Sequence, residues 1–190
     1  MTEPGLTPRD GFESAPVEPR RAERAFHDWP TIADILRRAD LGHLGLVDAA
    51  GPYVVPISYG VVARAEAITV YLHGAPEGRK LAALTADPRV CFEVALRQSL
   101  AGVAGSVCDL TVYYDSVIGF GRGRVVTDPD ERRAGLAAIV DHYQPGRGPE
   151  VPDPVPARVA VLALDLTAWS GKSHPAPLSG DPDEPDPLVD

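Results

Sequence analysis

From Gly42 onward the chain is written in short apolar runs of period two broken by turn residues, and this pattern constrains the fold more than any other feature. GHLGLVD is followed by a turn at AAGP, then YVVPISYGVV, a break around Arg64, Ala65 and Glu66, then AITVYLHG and, after an interval, RVCFEVAL. A long strand, VYYDSVIGFGRGRVV, and a last one within ARVAVLALDLTAWSGK bring the expected number to roughly six. In that last segment Val159, Val161, Ala163 and Asp165 alternate with Ala160, Leu162, Leu164 and Leu166, so both faces are mostly apolar and the strand is expected to be covered on two sides. The hairpin-type connections make the strands antiparallel. Six short strands left open would expose sheet edges, so closure into a β-barrel with helices plugging its ends is expected; an open α+β sandwich is the alternative.

Three helical segments accompany the strands. Asp28 is placed to cap a helix with Pro30 in its first turn and Ile32, Ile35, Leu36 and Ala39 on one face, ended by Gly42. EGRKLAALTAD has helical spacing at Leu81 and Leu84 and closes at Asp87 and Pro88. In DPDERRAGLAAIVDHY, Asp128 caps, Pro129 takes the first turn, and Leu136, Ile139 and Val140 form the apolar stripe. Arg97 to Leu110 reads as a loop-like linker and PGRGPEVPDPVP as an irregular connector.

The 190 residues suit one domain, placed at 28–172, with a flexible arm at 1–27 and an acidic, Pro-rich, disordered tail at 173–190. Of the net charge of −9, the residues Asp181, Asp183, Glu184, Asp186 and Asp190 of the tail carry five, and no Lys or Arg lies among them. The folded part is therefore only mildly acidic, and nucleic acid is not an expected partner. No apolar run approaches the roughly 20 residues that cross a bilayer. The first residues contain acids and prolines and no apolar core of a secretory signal, so no membrane association and a cytoplasmic location are expected. Cys91 and Cys108 are not arranged as CxxC and read as free, buried thiols.

No catalytic side-chain motif is visible, so any activity has to come from a bound cofactor. HGAPEGRKL lies between a strand end and a helix start: its glycines let the backbone approach a ligand, and Arg79, Lys80 and the helix amides suit a phosphate. The same residues also fit a turn followed by a solvated helix face. Pro56 removes a ladder donor from VVPISYG, either freeing backbone groups for a planar ligand or marking an edge strand that tolerates proline. His73 is the best single candidate for a metal or haem ligand, against a scaffold role. In TAWSGK, Trp169 is placed to stack on a ring and Lys172 to reach a phosphate, or the pair is a core aromatic followed by a surface turn.

Taken in order and spacing, GPYVVPISYG, YLHGAPEGRKLAAL, DPRVCFEV, YxSVIGFGRGRVV and LDLTAWSGK resemble the pyridoxamine 5′-phosphate oxidase-like FMN-binding split-barrel superfamily, and within it the Nim proteins linked to 5-nitroimidazole resistance. The similarity covers roughly Trp29 to Lys172. The resemblance implies a mainly β fold, a six-stranded Greek-key split barrel with flanking helices, and a homodimer with two FMN sites at the subunit interface. It implies that Val55, Pro56, Ile57 and Ser58 line the flavin ring, that His73, Arg79 and Lys80 surround the phosphate, and that Trp169 and Lys172 approach from the partner subunit. Asp115 departs from the usual basic or aromatic residue at its place and is expected to point outward. The implied activity is FMN-dependent reduction of a small planar acceptor such as a nitroaromatic, with no obligate catalytic side chain and no metal. The alternatives are a haem-binding protein with His73 as axial ligand and a non-catalytic flavin-binding module.

Overall fold

The structure is a computed structural model and describes residues 19–64, 67–101 and 111–175. Its elements in chain order are β1 (Ala25–Phe26), α1 (Trp29–Arg38), β2 (Gly42–Asp48), β3 (Gly51–Ile57), β4 (Tyr59–Arg64), β5 (Ala67–Gly74), α2 (Arg79–Ala86), β6 (Arg89–Ala101), β7 (Thr111–Val125), α3 (Pro129–Tyr143) and β8 (Ala160–His174). The strands form one antiparallel sheet in the order β3-β2-β6-β7-β8-β5-β4, with β1 paired to β8. This is a mainly β fold, a split barrel with flanking helices.

Among the described residues eight strands stand where about six were expected, the expected closure does not occur, and three further expectations are corrected. YVVPISYGVV is two strands: the chain breaks at Ser58, sending β3 to pair with β2 and β4 to pair with β5. These two strands end the sheet path, so the sheet curls without closing. The region expected to be a loop from Arg97 begins instead as strand, because β6 continues to Ala101 opposite Thr111, with a register shift between Arg97 and Ser99. Finally, the fold starts before Asp28, since Ala25 and Phe26 pair with Lys172 and Gly171.

The core forms where the inward faces of the curled sheet meet α1 and α2. Leu44, Tyr59, Val70, Leu72, Phe92, Val94, Leu162 and Leu164 are fully covered there, together with Ile32 and Leu36 of α1 and Leu84 of α2. Asp28 caps α1 by accepting from the Thr31 amide at 3.1 Å, with Pro30 in the first turn. At the other end of α1, Tyr59 donates its hydroxyl to the Leu36 carbonyl at 2.6 Å, which satisfies a carbonyl the helix cannot. Deep burial raises the Tyr59 pKa, so the phenol stays a donor.

β8 explains its own two-sided pattern. Leu162, Leu164 and Leu166 face the main core, while Val161 and Ala163 join Val126 in a second cluster against Tyr71, Leu136 and Val159. Asp128 caps α3 through the Glu131 amide at 2.8 Å. Gly60 lets α3 lie directly on β4: a Cβ there would sit 2.3 Å from the Ala138 backbone. Glu131 then ties α3 to the sheet, accepting from Tyr71 at 3.2 Å and from both terminal nitrogens of Arg124. Among the described residues no helix is long and apolar enough to cross a membrane.

Candidate functional site

β5 delivers His73 and Gly74 to the rim of the barrel, and α2 begins at Arg79 after four intervening residues. Gly78 starts the helix with φ of 123°, a conformation that favours glycine, and offers no side-chain cap. The first-turn amides of α2 are thus left to an acceptor from outside the helix, with the positive end of the helix dipole behind them.

Two cations stand at this opening. Lys80 folds back so that Nζ donates to the His73 carbonyl at 3.4 Å, over the space where a Cβ on Gly74 would come within 3.0 Å of it. Partial burial lowers the Lys80 pKa from its usual value. The same partial burial, followed by the nearby ammonium, lowers that of His73 and favours its neutral imidazole. Arg79 reaches across to the β2–β3 hairpin, where Nε donates to Asp48 Oδ2 at 2.6 Å and the guanidinium lies 4.2 Å above the Tyr53 ring centroid. Asp48 is itself fixed, its other oxygen accepting from the Ala50 amide at 2.9 Å, and the Arg79 bond holds its carboxyl below the usual range. This arrangement suits a compact anion such as a phosphate monoester: the Lys80 ammonium, a guanidinium shared with Asp48, open helix amides and close backbone approach.

The ring-facing candidates sit on β3. Tyr53, Val55 and Ile57 turn toward the core, whereas Pro52, Val54 and Pro56 turn outward, with Val54 64% exposed. Pro56 does not interrupt the ladder; register with β2 is continuous through its pairing with His43. Because β3 is the end strand of the sheet, an absent N–H is tolerated there, and the interruption comes two residues later, at Ser58.

Trp169 and Lys172 lie elsewhere. On β8, Val161 is opposite His73, so Trp169 lies eight residues further along, or about 25 Å of strand. There Trp169 packs near Trp29 with ring centroids 6.2 Å apart, and Lys172 stands 5.5 Å from the Tyr114 centroid. Asp115 is half-buried and its carboxylate is engaged by Ser173, at 2.6 Å, and by Gln98. The structure sets Lys80 against His73 and turns the neighbouring Arg79 to the β2–β3 hairpin, and it does not bring Trp169 and Lys172 to them within one chain. Sequence reasoning missed Asp48 and Tyr53, whose contacts with Arg79 join residues far apart in the chain and leave no local signature. Cys91 is half-buried, bordering an outward apolar groove of about 270 Å³ with Gly45, Val47, Pro52, Val54 and Phe120; burial raises its thiol pKa. Cys108 lies outside the described residues. A groove of about 470 Å³ between α3 and Gly148–Pro149 contains none of the candidate residues.

A split barrel with flanking helices and a cationic helix start at its rim defines a class of fold and site, and comparison gives the family. The chain belongs to the pyridoxamine 5′-phosphate oxidase family, whose profile matches residues 28–173. Among solved structures it is similar to one described as a candidate 5-nitroimidazole antibiotic resistance protein from Bacteroides thetaiotaomicron. That match has 28% identity and a TM-score of 0.62, over 78% of this chain and 85% of that one. The flavocytochrome Anf3 from Azotobacter vinelandii is 28% identical with a TM-score of 0.69, over 84% and 73% of the two chains. The FAD and haem binding protein from Mycobacterium smegmatis is 26% identical with a TM-score of 0.69, over 86% and 77%. A search of the curated proteins finds no match.

Proposed function

We propose that this chain is a flavin-dependent oxidoreductase that binds FMN and reduces a small planar acceptor such as a nitroaromatic. The observation that carries the reading is the Arg79–Lys80 pair at an uncapped helix start, a receptor matched to one terminal phosphate dianion. FMN ends in such a group, whereas the two phosphates of FAD form an internal pyrophosphate with no terminal dianion. Membership of the family and likeness to a flavocytochrome and an FAD and haem binding protein support a flavin. The likeness to the nitroimidazole-resistance structure supports a nitro compound as acceptor.

Arg79 and Lys80 would hold the phosphate, His73 would border it, and the segment Val55, Pro56, Ile57 and Ser58 would lie along the ring. The bound flavin supplies the electron transfer; the protein binds, orients and shields it. No side chain is assigned as an obligate acid or base. Trp169 and Lys172 would reach the ligand from a second copy, a reading supported by their separation from Arg79 along β8. Exposed Val47 and Val54 beside the outward groove are compatible with such pairing. A cytoplasmic location accords with this chemistry.

The absorption spectrum of the purified protein tests the reading: flavin bands as isolated, or after addition of FMN, are expected, and failure of both ends it. Tight FMN that neither NADH nor NADPH bleaches would mark a non-catalytic flavin module instead. Haem binding at His73 is the second reading, favoured by the two haem-containing relatives and by an imidazole biased to its neutral, ligating form. A Soret band that survives His73→Ala would remove it.

A further inference from the structure

We infer that Asp48 and Tyr53 are positioning residues for phosphate recognition: they hold the Arg79 guanidinium by its Nε edge and its ring face, and so present its two terminal nitrogens to the incoming anion. The inference rests on the phosphate reading of Arg79 and Lys80 and assigns a role to two residues outside that set.

An arginine grips a phosphate best through two parallel N–H bonds, and its planar fork makes orientation as important as charge. A long exposed side chain ordinarily samples many orientations, and ordering it on binding costs affinity. Here that ordering exists before the ligand arrives. Asp48 Oδ2 accepts the hydrogen bond that Arg79 Nε donates, at 2.6 Å. The Tyr53 ring supports the guanidinium from below at 4.2 Å. Nη1 and Nη2 make no hydrogen bond among the described residues, so the bidentate edge is left open.

The holder is itself rigid. Asp48 ends β2 and accepts from the Ala50 amide within the hairpin turn, and Tyr53 follows on β3, where it pairs with Leu46. The hairpin therefore fixes the direction of a side chain that starts on α2, 31 residues away. Asp48 is also a negative charge beside a proposed anion site, and this gives the inference a sign that can be tested. If charge alone mattered, removing the carboxylate would strengthen phosphate binding. If orientation matters more, removing it weakens binding, because at an exposed site water and salt screen the repulsion while the loss of geometry is not screened.

The experiment is a titration of flavin-free full-length protein with FMN, riboflavin and inorganic phosphate, read by flavin fluorescence quenching and by competition. Asp48→Ala is expected to weaken FMN about tenfold and phosphate in parallel, with riboflavin, which has the same ring and no phosphate, unchanged. Asp48→Asn keeps an oxygen for the Nε proton without the charge and is expected to bind FMN within about twofold of the parent chain. Tyr53→Leu, which leaves the hairpin polar contacts intact, is expected to weaken FMN about threefold and carries the test if Asp48→Ala fails to fold. FMN binding by Asp48→Ala that is equal or tighter, or an equal loss of riboflavin, overturns the inference. Arg79→Ala with Lys80→Ala separates the two levels. If that pair leaves FMN affinity unchanged, the phosphate reading and the inference fall together; if it loses FMN while Asp48→Ala and Tyr53→Leu do not, only the positioning role falls.

Discussion

The two ends of β8 are built from different materials. Beside Ala160 and Val161 stand Gly74, His73 and the folded-back Lys80, with Arg79 held between an acid and an aromatic face. At Trp169 to His174 the contacts are mostly between rings: Trp29 with Trp169, Lys172 over Tyr114, and His174 5.0 Å from Tyr113. The first end suits a small dianion and the second a flat, extended surface. Both chemistries belong to a nucleotide-like flavin, yet one continuous strand keeps them apart. On the proposed function, a flavin that uses both ends would take them from two copies of the chain.

The largest effect is expected where the strand joining the two ends is anchored. Leu164 is fully buried, and Leu164→Ala is expected to cost about 2–5 kcal/mol in urea unfolding, undoing both ends together. A change below about 0.5 kcal/mol would show that β8 is not the shared support.

Next in size is removal of the cationic end. Arg79→Ala with Lys80→Ala is expected to lower FMN affinity by at least about 100-fold at low salt, since two charged hydrogen bonds of about 1.5–3 kcal/mol each are lost, while riboflavin is affected little. Thermal stability should barely move, because an exposed ion pair such as Arg79–Asp48 contributes little to folding. The aromatic end should behave in the opposite way. Trp169→Ala is expected to weaken FMN and riboflavin alike, by about fivefold, as the loss of one ring contact would. Calorimetric titration with both flavins distinguishes the two patterns.

The smallest effect is a pH dependence at the cationic end. Lys80 has its pKa lowered by burial, so it is charged below that value and loses its proton as pH rises through it. FMN affinity is expected to fall a few-fold on that alkaline limb, and Lys80→Arg, whose guanidinium stays charged, should flatten it. For the ligand-free chain the sign is reversed. Between the lowered folded value and the higher unfolded one the unfolded state binds more protons, so folding stability should rise with pH in that window. Equal alkaline limbs in the parent and the Arg variant would remove Lys80 from phosphate binding.

Local patterns make most of the elements legible in the amino-acid sequence itself. Asp28 with Pro30, and Asp128 with Pro129, announce helix starts whose caps form as expected, and the two-sided apolar run of β8 announces a covered strand. What is not legible there is decided by tertiary pairing. Nothing local to YVVPISYGVV says that Ser58 divides it, because the division is made by different partners, β2 on one side and β5 on the other. Ala25 and Phe26 read as arm residues because their pairing is with Lys172 and Gly171, far along the chain. The site divides in the same way: HGAPEGRKL marks the cations from the sequence alone, whereas Asp48 and Tyr53 become visible only when the β2–β3 hairpin is folded against α2.

A mixing experiment tests the shared site most directly. The Arg79→Ala, Lys80→Ala chain and a Trp169→Ala, Lys172→Ala chain, each defective in FMN binding alone, are co-expressed, purified together and titrated with FMN. Random pairing should restore roughly one intact site in four, formed by the cationic end of one copy and the aromatic end of the other. Mixed preparations that bind no better than the average of the two parents would contradict a site shared between copies.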